Sequence, residues 1–462
     1  MELKKERKFT RIERLKHSAR RRSINEGVFA TIKGSLGESY VTPFAIAINA
    51  SNFLIGIFSS LSGLLGPLSQ WQSSRLIEKY KRKNIVVKSV FLESITWLPL
   101  AILAFLFYKG IIVSTLPFVL LLFFSLYIIF ANASGPAWFS WVGDLVKEDY
   151  RGEWFAKRNF KIGIATFIST LAAAFFLDFM KSKEMIMFGF IIMFLIAMVA
   201  RLISCYLFTK TYEPKLNLKK GYYFSFWEFI KKAPHNNFGR FVIFRAALNF
   251  AICIGSPFFA VYMLRDLQFN YITYILIILA PTAYNLLTIR LFGKFSDKYG
   301  NYALMKITAL LVSIFPVFWV FSKNPAYLFC VPELMSGIGW AGFNLAASNY
   351  IYDSVTPQRR GICVSYYNLL NGIGVFLGAG LGALLVKYID IKFMNLFLFI
   401  FLISAIARIL VVYLMLGTIK EVRKTSRFSY PNALKFIMLY PTTHSSGNEQ
   451  LLSFRKRFFF KK

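Results

Sequence analysis

Apolar residues recur in runs of helical length along the whole chain, separated by short polar stretches. The runs fall at 27–49, 51–73, 84–107, 111–133, 160–179, 185–209, 240–263, 271–292, 302–321, 325–347, 361–386 and 393–417. Each is close to the ~20 residues that an α-helix needs to cross a bilayer. An open strand in lipid would leave backbone groups unpaired, so the pattern predicts helices. The expected fold is an all-α integral membrane protein with twelve transmembrane helices, crossings 1 to 12.

Composition agrees. Of 462 residues, 56% are hydrophobic and 17% charged, against about 45–50% and 25% in soluble domains. The net charge of +33 fits either nucleic acid or an anionic membrane surface, and its placement decides. With loops assigned alternately to two sides, 44 of the 55 Lys and Arg residues share the side of the N-terminus and 7 lie on the other. Lys33, Arg201, Arg245 and Arg408 lie inside the runs. That asymmetry predicts an even number of crossings with both termini cytoplasmic, in the cell membrane. The charge is spread over every loop on that side, which argues against a nucleic-acid partner. The arm with Lys4, Lys5, Arg7, Lys8 and Arg20 to Arg22, and the end from Arg455 to Lys462, read as segments that touch the bilayer surface.

Cys205, Cys253, Cys330 and Cys363 all fall in apolar runs and form no CxxC pair, so neither disulfides nor structural zinc is expected. His17, His235 and His444 stand far apart in polar stretches, and neither HExxH nor GxxxxGK[ST] occurs. No cofactor, metal or enzymatic activity is expected, and the basic N-terminus shows no early cleavage pattern.

The chain also repeats itself. At an offset of 209, Asp144, Val146, Arg151, Gly152, Asn159, Gly163, Ile164 and Phe167 match Asp353, Val355, Arg360, Gly361, Asn368, Gly372, Ile373 and Phe376. ARLISCYL at 200–207 echoes ARILVVYL at 407–414. The organisation is read as a basic arm (1–26), a six-helix bundle (27–209), a basic linker (210–239), a second six-helix bundle (240–418) and a basic tail (419–462). Between crossings 8 and 9, Gly293, Asp297 and Gly300 are spaced as GxxxDxxG. The loop between crossings 2 and 3 is a degenerate copy, with Ser74, Glu78 and Lys81 in those places. With the two DxxxxxxRG boxes, Asp144–Gly152 and Asp353–Gly361, the chain resembles the major facilitator superfamily (MFS) over about residues 27–418. The resemblance implies two six-helix pseudo-repeats, transport by alternating access, and a monomer. It also implies that Asp144, Arg151, Gly152, Gly293, Asp297, Gly300, Asp353, Arg360 and Gly361 latch the cytoplasmic side, the glycines permitting close backbone approach, with static helix caps and loop ion pairs as the alternative reading. The GxxxGPxxGG antiporter signature is absent from crossing 5.

An ionisable residue inside a membrane helix is a functional candidate, because burying it is costly. Glu38, Thr42, Ala45 and Asn49 follow helical spacing on crossing 1, as do Arg245, Asn249, Ile252, Ser256 and Ala260 on crossing 7. Glu333, Gly337, Trp340, Asn344 and Ser348 do so on crossing 10, and crossing 4 offers Ser125 and Asn132. Crossings 1, 4, 7 and 10 line the central cavity in the family that the chain resembles. A carboxylate in a low-dielectric cavity can take and release a proton as its surroundings change. Glu38 and Glu333, with Glu93 as a third, are therefore proton-coupling candidates. Thr42, Asn49, Asn132, Arg245, Asn249, Ser256, Trp340, Asn344 and Ser348 are candidates for the solute cavity. Each acid has an alternative reading as half of an ion pair, such as Glu38 with Lys33 or Arg245. Arg245 has the alternatives of pairing an anionic solute group or neutralising a Glu. Arg201 and Arg408, at matching places in the two halves, read as structural ties. The glycines of crossing 11, Gly374, Gly378 and Gly382 among them, read as a close-packing face rather than a nucleotide loop. The expected partners are a small-molecule solute, protons and the lipid bilayer. A lipid flippase and a membrane sensor without transport remain as alternatives on the same fold.

Overall fold

A computed structural model describes residues 2–77, 79–146, 148–214, 225–356, 359–423 and 425, with the side chains of 2–11, 148–153, 155, 156 and 361 outside the description. Among the described residues every regular element is helical. Crossing 1 is α1 (Glu2–Leu36) followed by α2 (Val41–Ala47), and crossing 2 is α3 (Asn52–Leu76). Crossing 3 is α4 (Arg82–Ile95) and α5 (Trp97–Tyr108), and crossing 4 is α6 (Leu116–Ala133) and α7 (Gly135–Leu145). Crossings 5 and 6 are α8 (Glu148–Ser182) and α9 (Ile186–Thr209). A short linker helix, α10 (Phe226–Lys232), carries a capping box from Ser225 and Glu228.

In the second half, crossing 7 is α11 (Asn237–Gly255), α12 (Phe258–Val261) and one π turn, and crossing 8 is α13 (Tyr271–Tyr299). Crossing 9 is α14 (Asn301–Ile314) with a 3₁₀ end, and crossing 10 is α15 (Pro325–Cys330) and α16 (Pro332–Ser354). Crossings 11 and 12 are α17 (Arg360–Tyr388) and α18 (Leu396–Met415).

The runs read from sequence as continuous are thus broken in several places, and proline accounts for most of the breaks. Pro99, Pro136, Pro257, Pro316 and Pro332 each lie within three residues of a break. Each lacks the N–H that would bond four residues back. The predicted face of Glu38, Thr42, Ala45 and Asn49 needs correction for the same kind of reason. Glu38 sits in a 3₁₀ turn (Glu38–Tyr40), and Asn49 follows the end of α2 with φ of 58°. Pro43 lies in the first turn of this second piece, and the four residues do not share one straight helix.

Ten of the described helical segments are long and apolar enough to cross a membrane. The two crossings not among them are 1 and 10, which carry Lys33 with Glu38, and Glu333. Membrane solvation therefore bears hardest on two of the four crossings whose polarity suggests function.

The two bundles pack through crossing 2 against crossing 11 and crossing 5 against crossing 8. Small residues let crossings 2 and 11 meet: an added Cβ at Gly372 would stand 2.3 Å from the Gly63 carbonyl oxygen. Ser60 Oγ donates to the Phe376 carbonyl at 2.8 Å along the same seam. Gly374, Gly378 and Gly382 press crossing 11 onto crossing 7. A Cβ there would meet the carbonyl oxygens of Ala246, Phe250 and Ile254 at 2.2, 2.1 and 2.2 Å.

At the membrane end away from the termini, Asp178 on α8 accepts hydrogen bonds from the N–H groups of Tyr271 and Ile272, at 2.8 and 2.9 Å. It caps α13 across the boundary between the halves. Arg265 reaches from crossing 7 to Asn52 and, at 3.0 Å, to the Ala50 carbonyl.

Candidate functional site

The first half buries a chain of alternating charges. Glu38 Oε2 lies 3.4 Å from Lys33 Nζ, and Lys33 lies 3.0 Å from Glu93 Oε1. Glu93 is held by Arg201 at 2.7 Å, Arg201 reaches Glu26 at 3.5 Å, and Glu26 reaches Arg158 at 3.7 Å. Three acids face three bases, so the chain is formally neutral. It ties crossings 1, 3, 5 and 6 together. Tyr127 on crossing 4 joins it, donating to Glu38 at 2.7 Å and accepting from Lys33 at 2.9 Å. Ser204 completes the Arg201–Glu26 junction.

Burial is graded along this chain. The Glu38 side chain is 56% exposed and Glu93 fully shielded. Glu38 is therefore the accessible end, and Glu93 is locked between two cations. Sequence reading had singled out Glu38, Glu93 and Arg201 separately but missed Glu26, Arg158 and Tyr127. Glu26 lies one residue outside the run assigned to crossing 1. Continuing that helix toward the N-terminus would have placed Glu26 two turns before Lys33.

The second half carries charge differently. Phe29 to Lys33 and Phe241 to Arg245 match at an offset of 212, putting one cation at the same place in crossings 1 and 7. Lys33 is saturated by two carboxylates and a phenol. Arg245 has no carboxylate partner among the described residues. Its Nη2 donates to Asn344 Oδ1 at 3.4 Å, while Nε and Nη1 are shielded from water without an acceptor. The guanidinium rests on the rings of Trp340 and Phe343, 5.4 and 4.8 Å from their centroids.

Asn344 and Ser348 are exposed on the same helix, and Asn249 donates to Asn371 at 2.9 Å between crossings 7 and 11. Ser256 marks the break between α11 and α12, and Thr42 lies part-buried in α2. Asn132 faces crossing 2 instead, accepting from Gln70 at 2.9 Å.

Glu333, in the first turn of α16, is the sole acidic residue in the six apolar runs of this half. It is 8% exposed, and no group among the described residues bonds to it or pairs with it. The paired Arg residues also differ. Arg408 donates to Ser404 and to the carbonyls of Val312 and Ile252, at 3.1, 3.0 and 3.3 Å, with no acid. Pro316, four residues after Val312, is what leaves that carbonyl without a helix donor.

At the terminal side, the residues expected to latch one half to the other are paired within their own halves. Asp144 holds Arg82 at 2.6 Å, and Glu213 lies 3.6 Å from the same guanidinium. Asp353 accepts from Asn301 at 2.7 Å and pairs with Arg423 at 2.7 Å, and Arg423 also lies 3.7 Å from Asp297. Arg82 and Asn301, each opening the third helix of its half, play the same part. Arg360 lies over the Tyr352 ring at 4.6 Å and donates to the Tyr352 carbonyl at 3.4 Å.

Gly293 sits inside α13 with open space where a Cβ would go, so close approach does not explain it. Gly300 does need to be glycine, with φ of 94° and Glu421 packed against it. The side chains at Arg151, Gly152 and Gly361, the degenerate-loop residue Glu78, and the polybasic end lie outside the described residues.

Comparison with known proteins adds the following. The family model described as Major Facilitator Superfamily matches residues 27–322 and 241–438. Among curated relatives, the vacuolar basic amino acid transporter 1 of Saccharomyces cerevisiae is 29% identical over 99 residues. The hexose transporter HXT10 of the same yeast is 28% identical over 86 residues. These stretches cover 21 and 19% of this chain and only 17 and 16% of the yeast proteins. Among solved structures, a mutant of the nucleoside transporter NupG superposes with a TM-score of 0.65 at 15% identity, covering 88% of this chain and 100% of that one. A bacterial homologue of the iron transporter ferroportin, in an inward-facing state, gives 0.65 at 15%, covering 87 and 98%.

Proposed function

The chain belongs to the major facilitator superfamily, and from that premise we propose that it is a secondary transporter carrying a small solute by alternating access, with proton movement through Glu333. The solute lies between the halves, bounded by crossings 1, 4, 7 and 10. The bias of 44 basic residues against 7 supports cytoplasmic termini, and the side where Asp178 and Arg265 join the halves is then the outer one. The protein acts as a monomer, as its family resemblance implies. Its relatives' names range over amino acids, hexoses and nucleosides, and no single solute is carried over from them.

The observation that carries the proton assignment is the contrast among three acids. Glu93 is locked by two cations and Glu38 is bonded to Lys33 and Tyr127, whereas Glu333 is buried and has no partner among the described residues. Ionisable groups so placed in membrane helices serve as proton carriers. Glu38 is assigned instead to the solute-facing end of the charge chain. The Asp144, Asp353 and Asp297 clusters hold the helix ends of each half as rigid units, so that the halves rock as bodies.

The test is transport in proteoliposomes with an internal pH dye. Solute addition to the wild type should move protons, and Glu333→Gln should keep solute exchange while losing proton movement. Proton movement by Glu333→Gln at the wild-type rate would overturn the assignment.

A further inference from the structure

The two halves treat matching cations unequally. Lys33 finds its counter-charge inside its own half, in Glu38 and Glu93. Arg245 finds none among the described residues, and the six apolar runs of its half contain no acid except Glu333, which is not bonded to it. Two of its three nitrogens are sealed from water without an acceptor, and its single bond, to Asn344, is long. A guanidinium held this way in membrane surroundings lacks an acceptor among the described residues. Beside it, Asn344 and Ser348 are exposed although they lie well inside α16. Polar side chains there face water rather than lipid. The aromatic shelf of Trp340 and Phe343 holds the guanidinium next to that polar face.

We infer that the missing acceptor is the solute itself: the protein takes an organic anion, whose carboxylate or phosphate is bound by Arg245 with help from Asn344. The planar fork of Arg suits both groups, through two parallel hydrogen bonds. The side chain rests on Trp340 and Phe343, and an anion bound beside Asn344 would draw it off the rings. The displaced ring faces then offer an apolar surface to the rest of the solute. This inference rests on the solute site proposed above. It differs in naming the solute's charge, and in fixing the binding role on Arg245 rather than on the proton carrier.

The test is binding to the purified full-length protein in detergent at fixed pH, read by thermal shift and titration calorimetry. The probes are benzoate, succinate, inorganic phosphate and phenyl phosphate, with benzamide as the neutral match for benzoate. At least one anion should stabilise the wild type and benzamide should not. The anion that binds tells carboxylate from phosphate recognition. Arg245→Gln should weaken that anion at least about thirtyfold. Arg245→Lys, which keeps charge without the fork, should fall between. Gly293→Ala, in open space within α13, should leave the dissociation constant within about twofold.

Equal stabilisation by benzamide, no shift with any anion, or unchanged binding in a folded Arg245→Gln would each overturn the inference. The two readings fail separately. Anion binding without flux in proteoliposomes would remove the transporter reading and keep this site. Flux of neutral solutes with no anion binding would do the reverse.

Discussion

Glu93 and Glu38 belong to one charge chain, yet their loss should be felt very differently. Glu93→Gln leaves Lys33 and Arg201 buried with one counter-charge fewer. Breaking a buried pair from one side costs about 3–5 kcal/mol, so the melting temperature in detergent should fall by many degrees. Glu38 is more than half exposed, and Glu38→Gln should cost under about 1 kcal/mol. Equal melting temperatures for the two variants would show that the chain does not hold the half together.

The sequence alone ranks these acids by the helix they sit in. It cannot rank them by partner, because Glu93 and Arg201 are 108 residues apart and Glu26 and Ser204 178. Glu38 and Glu333 look alike as single acids in apolar runs, and only the packing shows one paired and the other alone. Arg201 and Arg408 were legible as structural because the repeat placed them at matching points. Their different partners were not, since a carbonyl freed by a distant proline leaves no local pattern.

Among the elements, crossing 11 is the most constrained by its neighbours. Gly378→Ala would set a Cβ 2.1 Å from the Phe250 carbonyl oxygen, forcing crossings 7 and 11 apart. Such overpacking costs about 1–3 kcal/mol. Gly293→Ala, in open space within α13, should melt within about 0.5 kcal/mol of the wild type. A melt of both variants checks the contrast, and a stable Gly378→Ala would contradict the tight seam.

The twelve apolar runs were readable because membrane solvation imposes a length and a polarity on every crossing. Their internal breaks were not read, because a run keeps its hydropathy across a kink. The proline positions were visible but not decisive, since Pro67 and Pro281 lie inside the unbroken α3 and α13. The GxxxDxxG spacing likewise marked a helix end correctly at Gly300 and gave no means of seeing that Gly293 lies one and a half turns inside the helix.

At the scale of the whole molecule, the two bundles are joined at the end away from the termini by Asp178 and Arg265 and along the glycine seam of crossings 2 and 11. Asp178→Ala removes two charge-assisted bonds to α13 and should shift the halves toward separation at that end. With a cysteine placed at Ser60 in the seam, membrane-impermeant thiol labelling should quicken at least about tenfold in the Asp178→Ala background. An unchanged rate would show that the seam alone holds that end shut.

The charge chain of the first half also sets an order on how the protein is made. Glu26 emerges from the ribosome early, whereas its partners Arg201 and Ser204 follow up to 178 residues later. At 5–20 residues per second, that gap is roughly 9–36 s. Through that interval the first membrane helix carries an acid, Glu26, whose full set of partners does not yet exist. It has to wait beside water, in the insertion channel or under a chaperone, until the sixth arrives to seal it.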